Sequence, residues 1–318
     1  MKKRLATSHT ALAAACVALA GALCACTHGR TDSSPPPATA SPSSPPRVIT
    51  LAPSLTEIAY AVGCSDALIA DTKYDDYPSA AKTLPHVADL SHADLERIAQ
   101  LRPTVAVALH DQEHEGAPIQ ARLGVPVVYL PNRRLNDLYA DIAGVAAACN
   151  RTAQGNALAR DIKARLARVV AGQPRGGRRP RVLFLLGLPG FTAGKSSYIS
   201  DLIALAGGDN IAGDLDQPYP DLSAEAIVRA DPQVIIVSND TPFGADVRAR
   251  EPWRSTTAVQ RGRVLRPPND SILERNGPRV VQGLEWLSLS FGRWLPRAPC
   301  FLDVSSSPCR STSRSDNR

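Results

Sequence analysis

Two histidines and a glutamate in the stretch His110-Asp-Gln-Glu-His114 have the order of an inverted zinc-hydrolase motif. In such hydrolases both histidines lie on one helix, one turn apart, and bind Zn²⁺ together with a further acidic ligand. Here the stretch directly follows an apolar run typical of a strand, residues 105–109, and continues into Gly116-Ala117-Pro118. We therefore predict a loop or short turn at a crevice edge, where His110 contacts a ligand. Zinc hydrolysis by His110 and His114 is the alternative.

A second stretch, Gly190-Phe-Thr-Ala-Gly194-Lys195-Ser196, has the glycines and lysine of a phosphate-binding loop. Such a loop needs four residues between its glycines, so that consecutive backbone N–H groups surround the phosphates. Only three residues separate Gly190 from Gly194, and the position that requires glycine holds Pro189. The sequence also has no G-x-S-x-G nucleophile elbow. It therefore indicates neither a phosphate-binding loop nor a serine hydrolase of that type.

Two polar stretches follow predicted strands of the first half. Tyr74-Asp75-Asp76-Tyr77-Pro78 comes after residues 67–71, and loops at strand ends form the binding crevices of α/β folds. Tyr74 and Tyr77 are either ligand contacts or surface residues of a turn. Ser54-Leu-Thr-Glu57 follows the first strand and matches a capping box, with Ser54 as N-cap and Glu57 bonding back to it. That structural role accounts for Glu57, and we assign it no other.

The elements that carry these residues recur in two halves of the chain. In each half a strand leads through a turn into a helix: residues 47–51 precede a helix ending at Gly63, and residues 181–186 precede one ending at Gly207-Gly208. Each half also closes with a further strand, at residues 125–130 and 263–265. This repetition predicts two similar α/β lobes.

A second pair of matching segments supports the repetition. Residues 94–103 precede the strand 105–109, just as residues 223–232 precede the strand 234–237. When the prolines that end these segments are aligned, Glu96 falls on Glu225. The two acids therefore occupy equivalent positions in the two predicted lobes.

One long amphipathic stretch, residues 152–171, separates the halves. Leu158, Ile162 and Leu166 recur at helical spacing, and Gly172 and Pro174 end the pattern. Twenty residues form a helix about 30 Å long, which is the width of a small domain. We predict an α/β fold in which a single long rigid helix (152–172) joins an N-terminal lobe (47–151) to a C-terminal lobe (173–297), with a ligand cleft between them.

The N-terminal residues carry signals for export. Lys2, Lys3 and Arg4 precede a short apolar run, which predicts a secretory signal peptide over residues 1–25. Leu23-Cys24-Ala25-Cys26 is similar to the lipobox of bacterial lipoproteins, with Cys26 as the lipidated residue; an ordinary cleaved signal is the alternative. Residues 26–46 read as a Ser/Pro-rich disordered linker, and residues 298–318 as a disordered tail.

Charge and cysteine content narrow the possible partners. The net charge of +6 falls to +3 without the signal peptide, and the basic residues form no stripe, so we expect no nucleic-acid partner. Outside the signal and lipobox, four cysteines remain: Cys64, Cys149, Cys300 and Cys309. An oxidising compartment permits a disulfide among them, but their spacing leaves the pairing open.

Short motifs stand in a fixed order along both halves. The second half contains Phe191-Thr-Ala-Gly-Lys-Ser, Ala206-Gly-Gly-Asp-Asn-Ile211, Pro218-Tyr-Pro, Leu222-Ser-Ala-Glu225, Asp231-Pro-Gln-Val-Ile-Ile236 and Glu274-Arg275-Asn-Gly-Pro-Arg279. The first half contains Arg47-Val-Ile-Thr-Leu51, Ser54-Leu-Thr-Glu57, Tyr74-Asp-Asp-Tyr-Pro78 and Asp94-Leu-Glu-Arg-Ile98. Over residues 47–296 these motifs resemble the cobalamin-binding proteins of bacterial ABC importers, within a wider group that binds siderophores, haem and corrinoids.

The resemblance implies an exported, periplasmic substrate-binding protein without enzymatic activity, which carries a corrinoid to ABC permease subunits; we expect a monomer. It also implies that Glu96 and Glu225, one on each lobe, dock onto arginines of the permease. The candidate ligand-binding residues are Tyr74, Tyr77, His110, Phe191, Tyr219, Asp270 and Arg275. Leu90, Leu109 and Ile272 stand where the family has tryptophans. Haem or a ferric siderophore therefore stays an alternative ligand.

Overall fold

The computed structural model describes residues 45–89, 92–173 and 178–292. The predicted signal peptide, Cys26, the linker up to Ser44, Leu90 and the C-terminal tail with Cys300 and Cys309 lie outside these residues. In the part of the chain that is described, no helix is both long enough and apolar enough to cross a bilayer.

The first lobe is built on a five-stranded parallel sheet in the order β3-β2-β1-β4-β5. Its strands are β1 (Val48–Thr50), β2 (Leu68–Thr72), β3 (His86–Ala88), β4 (Val105–Leu109) and β5 (Val127–Leu130). Its helices are α1 (Pro53–Ala61), α2 (Leu95–Leu101), α3 (Glu113–Leu123) and α4 (Asp137–Ala148). Strands covered on both faces read as continuous apolar runs, which explains why Val105-Ala-Val-Ala-Leu109 was recognisable from the sequence.

The second lobe repeats this arrangement. Its strands are β6 (Arg181–Gly187), β7 (Phe191–Thr192), β8 (Asp209–Asn210), β9 (Val234–Val237) and β10 (Val264–Leu265). Its helices are α6 (Tyr198–Leu205), α7 (Ala224–Ala230), α8 (Ala245–Arg248), α9 (Thr257–Gln260), α10 (Ser271–Glu274) and α11 (Val280–Gly292). The parallel order β8-β6-β9-β10 matches β2-β1-β4-β5 of the first lobe, and β7 adds an antiparallel edge. The predicted repetition is confirmed.

A single helix of 20 residues, α5 (Thr152–Ala171), follows the first sheet and precedes the second. Its buried side chains include Ile162 and Leu166, which belong to a core cluster that contains residues of both lobes. Burying each of them contributes about 1.5–3 kcal/mol relative to exposure. Each sheet also has one further core cluster, which covers its opposite face. The predicted helix is confirmed, and its apolar stripe continues the core from one lobe to the other.

The structure decides two sequence-based expectations about the starts of helices. The stretch from His110, expected as a loop or short turn, is a 3₁₀ turn over residues 110–112 that continues directly into α3. Ser54 does not cap α1, which begins at Pro53 with Ala52 as N-cap and without a side-chain capping bond. Proline is well suited to this first helical position because it has no N–H to leave unpaired. Glu57 is therefore not part of a capping box.

One disulfide ties the first lobe together. Cys64, which follows α1, is bonded to Cys149, which ends α4. Both cysteines are buried, and the bond closes a separation of 85 residues. The sequence left the pairing open, and the structure bonds the two cysteines of this set that lie within the described residues.

Candidate functional site: a cleft between the lobes

A cavity of about 440 Å³ lies where the carboxyl ends of strands from both lobes meet. Its first-lobe lining includes Ser54, Leu109, Asp111, Asn132 and Arg133. Its second-lobe lining includes Ser196, Tyr198, Tyr219, Glu274 and Arg275. Open α/β sheets place ligands at this end of their strands, and the volume falls within the range of about 300–1,000 Å³ usual for small-molecule sites.

Arg275 is the cationic side chain of the second lobe that lines this cavity, and its charge is already paired. Its Nη1 atom donates to Asp76 at 2.6 Å and to Glu57 at 3.1 Å, and its Nη2 atom donates to the carbonyl oxygen of Tyr74 at 3.1 Å. Burial opposes the charge of Arg275, but the hydrogen bonds to Asp76 and Glu57 outweigh it and raise its pKa. Burial would likewise raise the pKa of Asp76, yet the hydrogen bond from Arg275 lowers it.

Glu57 has a role that its position in the sequence did not reveal. Its side chain is buried, and both carboxylate oxygens accept hydrogen bonds from Arg279, at 2.8 Å from Nε and 2.5 Å from Nη2. Because Glu57 belongs to the first lobe and Arg279 to the second, this pair spans the two lobes. The expectation that helix capping accounts for Glu57 is wrong.

Two acids face the cavity without a basic partner. Asp111 is exposed and makes no ion pair in the described part of the chain. The Oε1 atom of Glu274 is buried and has no hydrogen-bond partner among the described residues. Burial raises the pKa of Glu274 to about 7; a hydrogen bond with Ser238 opposes this shift, and the negative charge of Asp270 adds to it.

Arg133 is the other arginine of the lining. Its side chain makes no ion pair with any described residue, while its backbone N–H donates to Asp137 at 2.9 Å. The wall of the cleft thus combines one unpaired guanidinium with two acids, and the charge of Arg275 is internally balanced. Net positive charge is not concentrated here.

Exposed aromatic side chains flank the cleft from both lobes. Phe191 and Tyr219 form a tilted pair with ring centroids 6.2 Å apart, and Tyr219 also lines the cavity. On the first lobe, Tyr74 is bonded through its carbonyl oxygen to Arg275, and its ring is 38% exposed. Tyr77 lies under the guanidinium of Arg279, 4.1 Å from the ring centroid. Aromatic faces of this kind suit a large flat ligand.

His110 and Asp270 lie outside the cavity lining. His110 is exposed, stacks on Tyr129 at 6.4 Å between centroids, and directly precedes the lining residue Asp111. Asp270 accepts hydrogen bonds from the backbone and side-chain nitrogens of Asn239, at 2.9 and 3.0 Å, and so anchors a neighbouring loop. His114 pairs with Glu115 at 2.9 Å. Within the described residues, no group of three His, Cys, Asp or Glu side chains is placed to hold a metal ion.

A buried polar cluster lies next to the lining residue Asn132. The Nδ2 atom of Asn132 donates to Asp141 at 2.7 Å and to the carbonyl oxygen of Asn276 at 3.1 Å, and so joins the lobes. Burial raises the pKa of Asp141 to about 6, against the opposing hydrogen bond from Asn132. Its Oδ1 atom has no partner among the described residues.

The phosphate-loop pattern around Gly194 has a packing explanation. A Cβ atom at this position would collide with the carbonyl oxygen of Gln217. The backbone N–H groups of Gly194 and Lys195 donate to the carbonyl oxygens of Pro218 and Leu215, both at 2.9 Å, rather than facing a ligand. The glycine therefore allows two backbone segments to approach closely.

Glu96 and Glu225 occupy matching places, as the repeat predicted. Each lies in the first turn of a short helix, α2 or α7, and each side chain is exposed. Asp94 caps α2, and Ser223 caps α7, by accepting a backbone hydrogen bond in the same way. Neither glutamate lines the cleft.

The sequence did not single out several residues of the cleft: Asp111, Asn132, Arg133, Ser196, Tyr198 and Glu274. Asp111 and Asn132 follow the ends of β4 and β5, and the carboxyl end of a parallel strand was an available signal for both. Glu274 directly precedes Arg275, and no local pattern distinguishes it from an ordinary surface acid. No local pattern marks Tyr198, which is buried near the start of α6.

Comparisons with known proteins agree with this architecture. A sequence model described as "Periplasmic binding protein" matches residues 48–270. The "Vitamin B12-binding protein" of Pectobacterium carotovorum subsp. carotovorum (strain PC1) is 32% identical over 241 residues, which cover 74% of this chain and 85% of that relative. These matches span most of both lobes.

Two solved structures are similar in fold. The periplasmic vitamin B12 binding protein BtuF of Vibrio cholerae is 28% identical, with a TM-score of 0.66, over 77% of this chain and 96% of that one. The periplasmic haem-binding protein RhuT from Roseiflexus sp. RS-1 is 27% identical, with a TM-score of 0.70, over 78% of this chain and 98% of that one. The two likenesses are nearly equal, so fold similarity does not separate the two ligand classes.

Proposed function

The chain belongs to the periplasmic binding protein family, and from this premise we propose that it captures a corrinoid in its interlobe cleft for an ABC importer. The matched relatives are binding proteins rather than enzymes, and the compounds that their names give are ligands that they bind. Membership of the family implies a small-molecule ligand and a permease as partner. The choice of a corrinoid over haem rests on the chemistry of the cleft and on the sequence relatives.

The charge balance of the cleft wall carries this choice. Haem presents propionate carboxylates, whereas the corrin periphery presents carboxamides, which both donate and accept hydrogen bonds. Asp111 would repel a carboxylate, and the buried Oε1 atom of Glu274 is a hydrogen-bonding atom without a partner among the described residues. The charge of Arg275 is already paired with Glu57 and Asp76, which leaves Arg133 as the cation of this wall that could meet a carboxylate. A wall of this kind favours a ligand with neutral amide groups. The named vitamin B12-binding relatives point the same way.

We assign the ligand contacts accordingly. Tyr74, Phe191 and Tyr219 supply aromatic surface for the flat ring, and Arg275 supplies hydrogen bonds at the mouth of the cleft. His110 stands at the edge of the site. Tyr77 and Asp270 act indirectly, because Tyr77 packs against Arg279 and Asp270 anchors Asn239.

Calorimetric titration tests the proposal with dicyanocobinamide, whose axial positions are both occupied, and with haemin. We expect dicyanocobinamide to bind the purified protein with one-to-one stoichiometry, and haemin to bind at least about tenfold more weakly. Asp111→Asn should reduce this preference, because it removes an exposed negative charge that opposes propionates while keeping the shape of the side chain. Binding of haemin but not of dicyanocobinamide would overturn the proposal.

Haem is the second candidate, and two side chains favour it. The imidazole of His110 precedes the lining residue Asp111, and the phenol of Tyr219 lines the cavity; both are known axial ligands of haem iron. Haem binding through either group would produce a shifted Soret band. That band should be lost in His110→Ala or Tyr219→Phe, while dicyanocobinamide binding should be insensitive to His110→Ala.

We further propose that Glu96 and Glu225 dock the protein onto its permease. Both acids are exposed, lie on equivalent helices and do not line the cavity, which supports a two-point electrostatic contact. Glu96→Ala/Glu225→Ala should abolish uptake into vesicles containing the transporter, and leave the melting temperature and the Kd for ligand unchanged. Asp214→Ala/Glu285→Ala, which removes two other exposed acids, is the matched control. A raised Kd in the docking variant would contradict this assignment.

Export with a lipid anchor at Cys26 is part of the same proposal, since the family is periplasmic. Mass spectrometry of the protein from its native membrane should find diacylglycerol-modified Cys26 as the first residue. A soluble mature chain without lipid would instead indicate ordinary signal cleavage.

A further inference from the structure

Glu57 and Arg279 form a buried ion pair between the lobes, although neither residue lines the cavity. Two parallel hydrogen bonds, at 2.8 and 2.5 Å, hold the guanidinium against the carboxylate. This bidentate geometry fixes orientation as well as distance. The chain passes from one lobe to the other through α5, and the ion pair is one of several non-covalent contacts that also join the lobes.

The tie extends to the mouth of the cleft through Arg275. This arginine shares the Oε1 atom of Glu57 with Arg279, at 3.1 Å, and also donates to Asp76 and to the carbonyl oxygen of Tyr74. Arg279 also covers the ring of Tyr77. The charges of this cluster sum to zero: Glu57 and Asp76 balance Arg275 and Arg279. Through it, the second lobe holds loop 74–77 of the first lobe in place.

We propose that Glu57 is a positioning residue, which acts through Arg279 and Arg275 to hold loop 74–77 in its ligand-ready position before ligand arrives. A buried carboxylate that orients two arginines preorganises the aromatic residue Tyr74 and the lining residue Arg275 at once. Without Glu57, the loop would sample other positions, and the apparent Kd rises in inverse proportion to the fraction that is competent to bind. The predicted change in Kd rests on the proposed corrinoid function. The predicted change in the order of loop 74–77 does not.

A simple Glu57→Gln substitution could fail to fold, because it leaves buried arginine charge without its partner. The decisive variant is therefore Glu57→Met/Arg279→Met, which replaces the pair by apolar side chains; such replacements are often neutral or stabilising. Hydrogen exchange of the amides of Tyr74 and Asp75, which are hydrogen-bonded to Thr72, measures the order of the loop in the ligand-free protein. Calorimetry with dicyanocobinamide measures its consequence for binding.

We expect the double variant to melt near the wild-type temperature, to exchange the amides of Tyr74 and Asp75 at least about tenfold faster, and to bind dicyanocobinamide about tenfold more weakly. Exchange in β6 should be unchanged. Arg134→Met, which breaks the more exposed interlobe pair with Asp201, is the control and should change neither readout by more than about twofold. Wild-type exchange in the double variant would overturn the inference. If the wild-type protein does not bind dicyanocobinamide, the corrinoid proposal fails, and the exchange experiment still decides the role of Glu57.

Discussion

Buried acids next to the cleft differ in how their charges are compensated. Glu57 has two arginine partners, whereas the side chain of Asp141 is paired, among the described residues, with the amide of Asn132. An uncompensated carboxylate in a buried site favours its protonated form, and this explains why the pKa of Asp141 is raised to about 6. Such an acid makes folding dependent on pH.

Asp141→Asn should remove part of that dependence. Because the folded-state pKa is raised, the contribution of Asp141 to stability is fully present below about pH 4 and is lost as the pH rises through about 6. A shift of this size corresponds to roughly 3 kcal/mol. The free energy of unfolding of the variant, relative to wild type, should therefore rise by about 2–3 kcal/mol between about pH 4 and pH 8.

Urea unfolding at a series of pH values measures this difference. Asp214→Asn, a substitution at an exposed carboxylate, is the control and should show little change with pH. A difference between Asp141→Asn and wild type that is constant with pH would show that Asp141 keeps its charge down to the acid range.

At the scale of elements, α4 and α5 pack so closely that one position excludes a side chain. A Cβ atom on Gly155 would lie 2.5 Å from the Cβ atom of Ala146 in α4. This contact holds the first turn of α5 against the first lobe. The glycine thus has a packing role near the start of a helix in which it is otherwise unfavourable.

Gly155→Ala should destabilise the protein in spite of the better helix propensity of alanine. Alanine contributes up to about 1 kcal/mol in a helix, but overpacking costs about 1–3 kcal/mol. We expect a net loss of about 1–2 kcal/mol in chemical unfolding. Gly172→Ala, where the nearest atoms lie at 3.6 Å, is the matched control and should change stability by less than about 0.5 kcal/mol. A stabilised Gly155→Ala variant would show that α4 and α5 can separate without cost.

At the scale of the whole molecule, one helix and a set of interlobe hydrogen bonds connect two similar lobes. A continuous α-helix has no loop residues that absorb large changes in φ and ψ, which hinge-type binding proteins require. Sharp bends in helices need proline, a π-bulge or an inserted group. No proline interrupts α5.

We therefore expect ligand to move the lobes by only a few degrees, and to order mainly the loops around Tyr74 and Asn269-Asp270. Small-angle X-ray scattering of the protein with and without dicyanocobinamide should give the same radius of gyration within error. A hinge-type binding protein measured in the same way provides the positive control. If ligand lowered the radius of gyration by as much as it does in the hinge-type control, the rigidity of α5 would be disproved.

The sequence by itself determined the local elements and their repetition. Continuous apolar runs marked β4 and β9, helical spacing marked α5, and aligned prolines placed Glu96 on Glu225, because these patterns arise from which residues are buried within one element. Only the tertiary structure decided which distant groups meet. Glu57 pairs with Arg279, 222 positions away, and Cys64 with Cys149, 85 positions away, because of how the lobes and helices pack. Local periodicity shows which side chains are buried, but not which distant side chain each one contacts. For this reason the pairing of Glu57 with Arg275 and Arg279 could not be derived from the sequence alone.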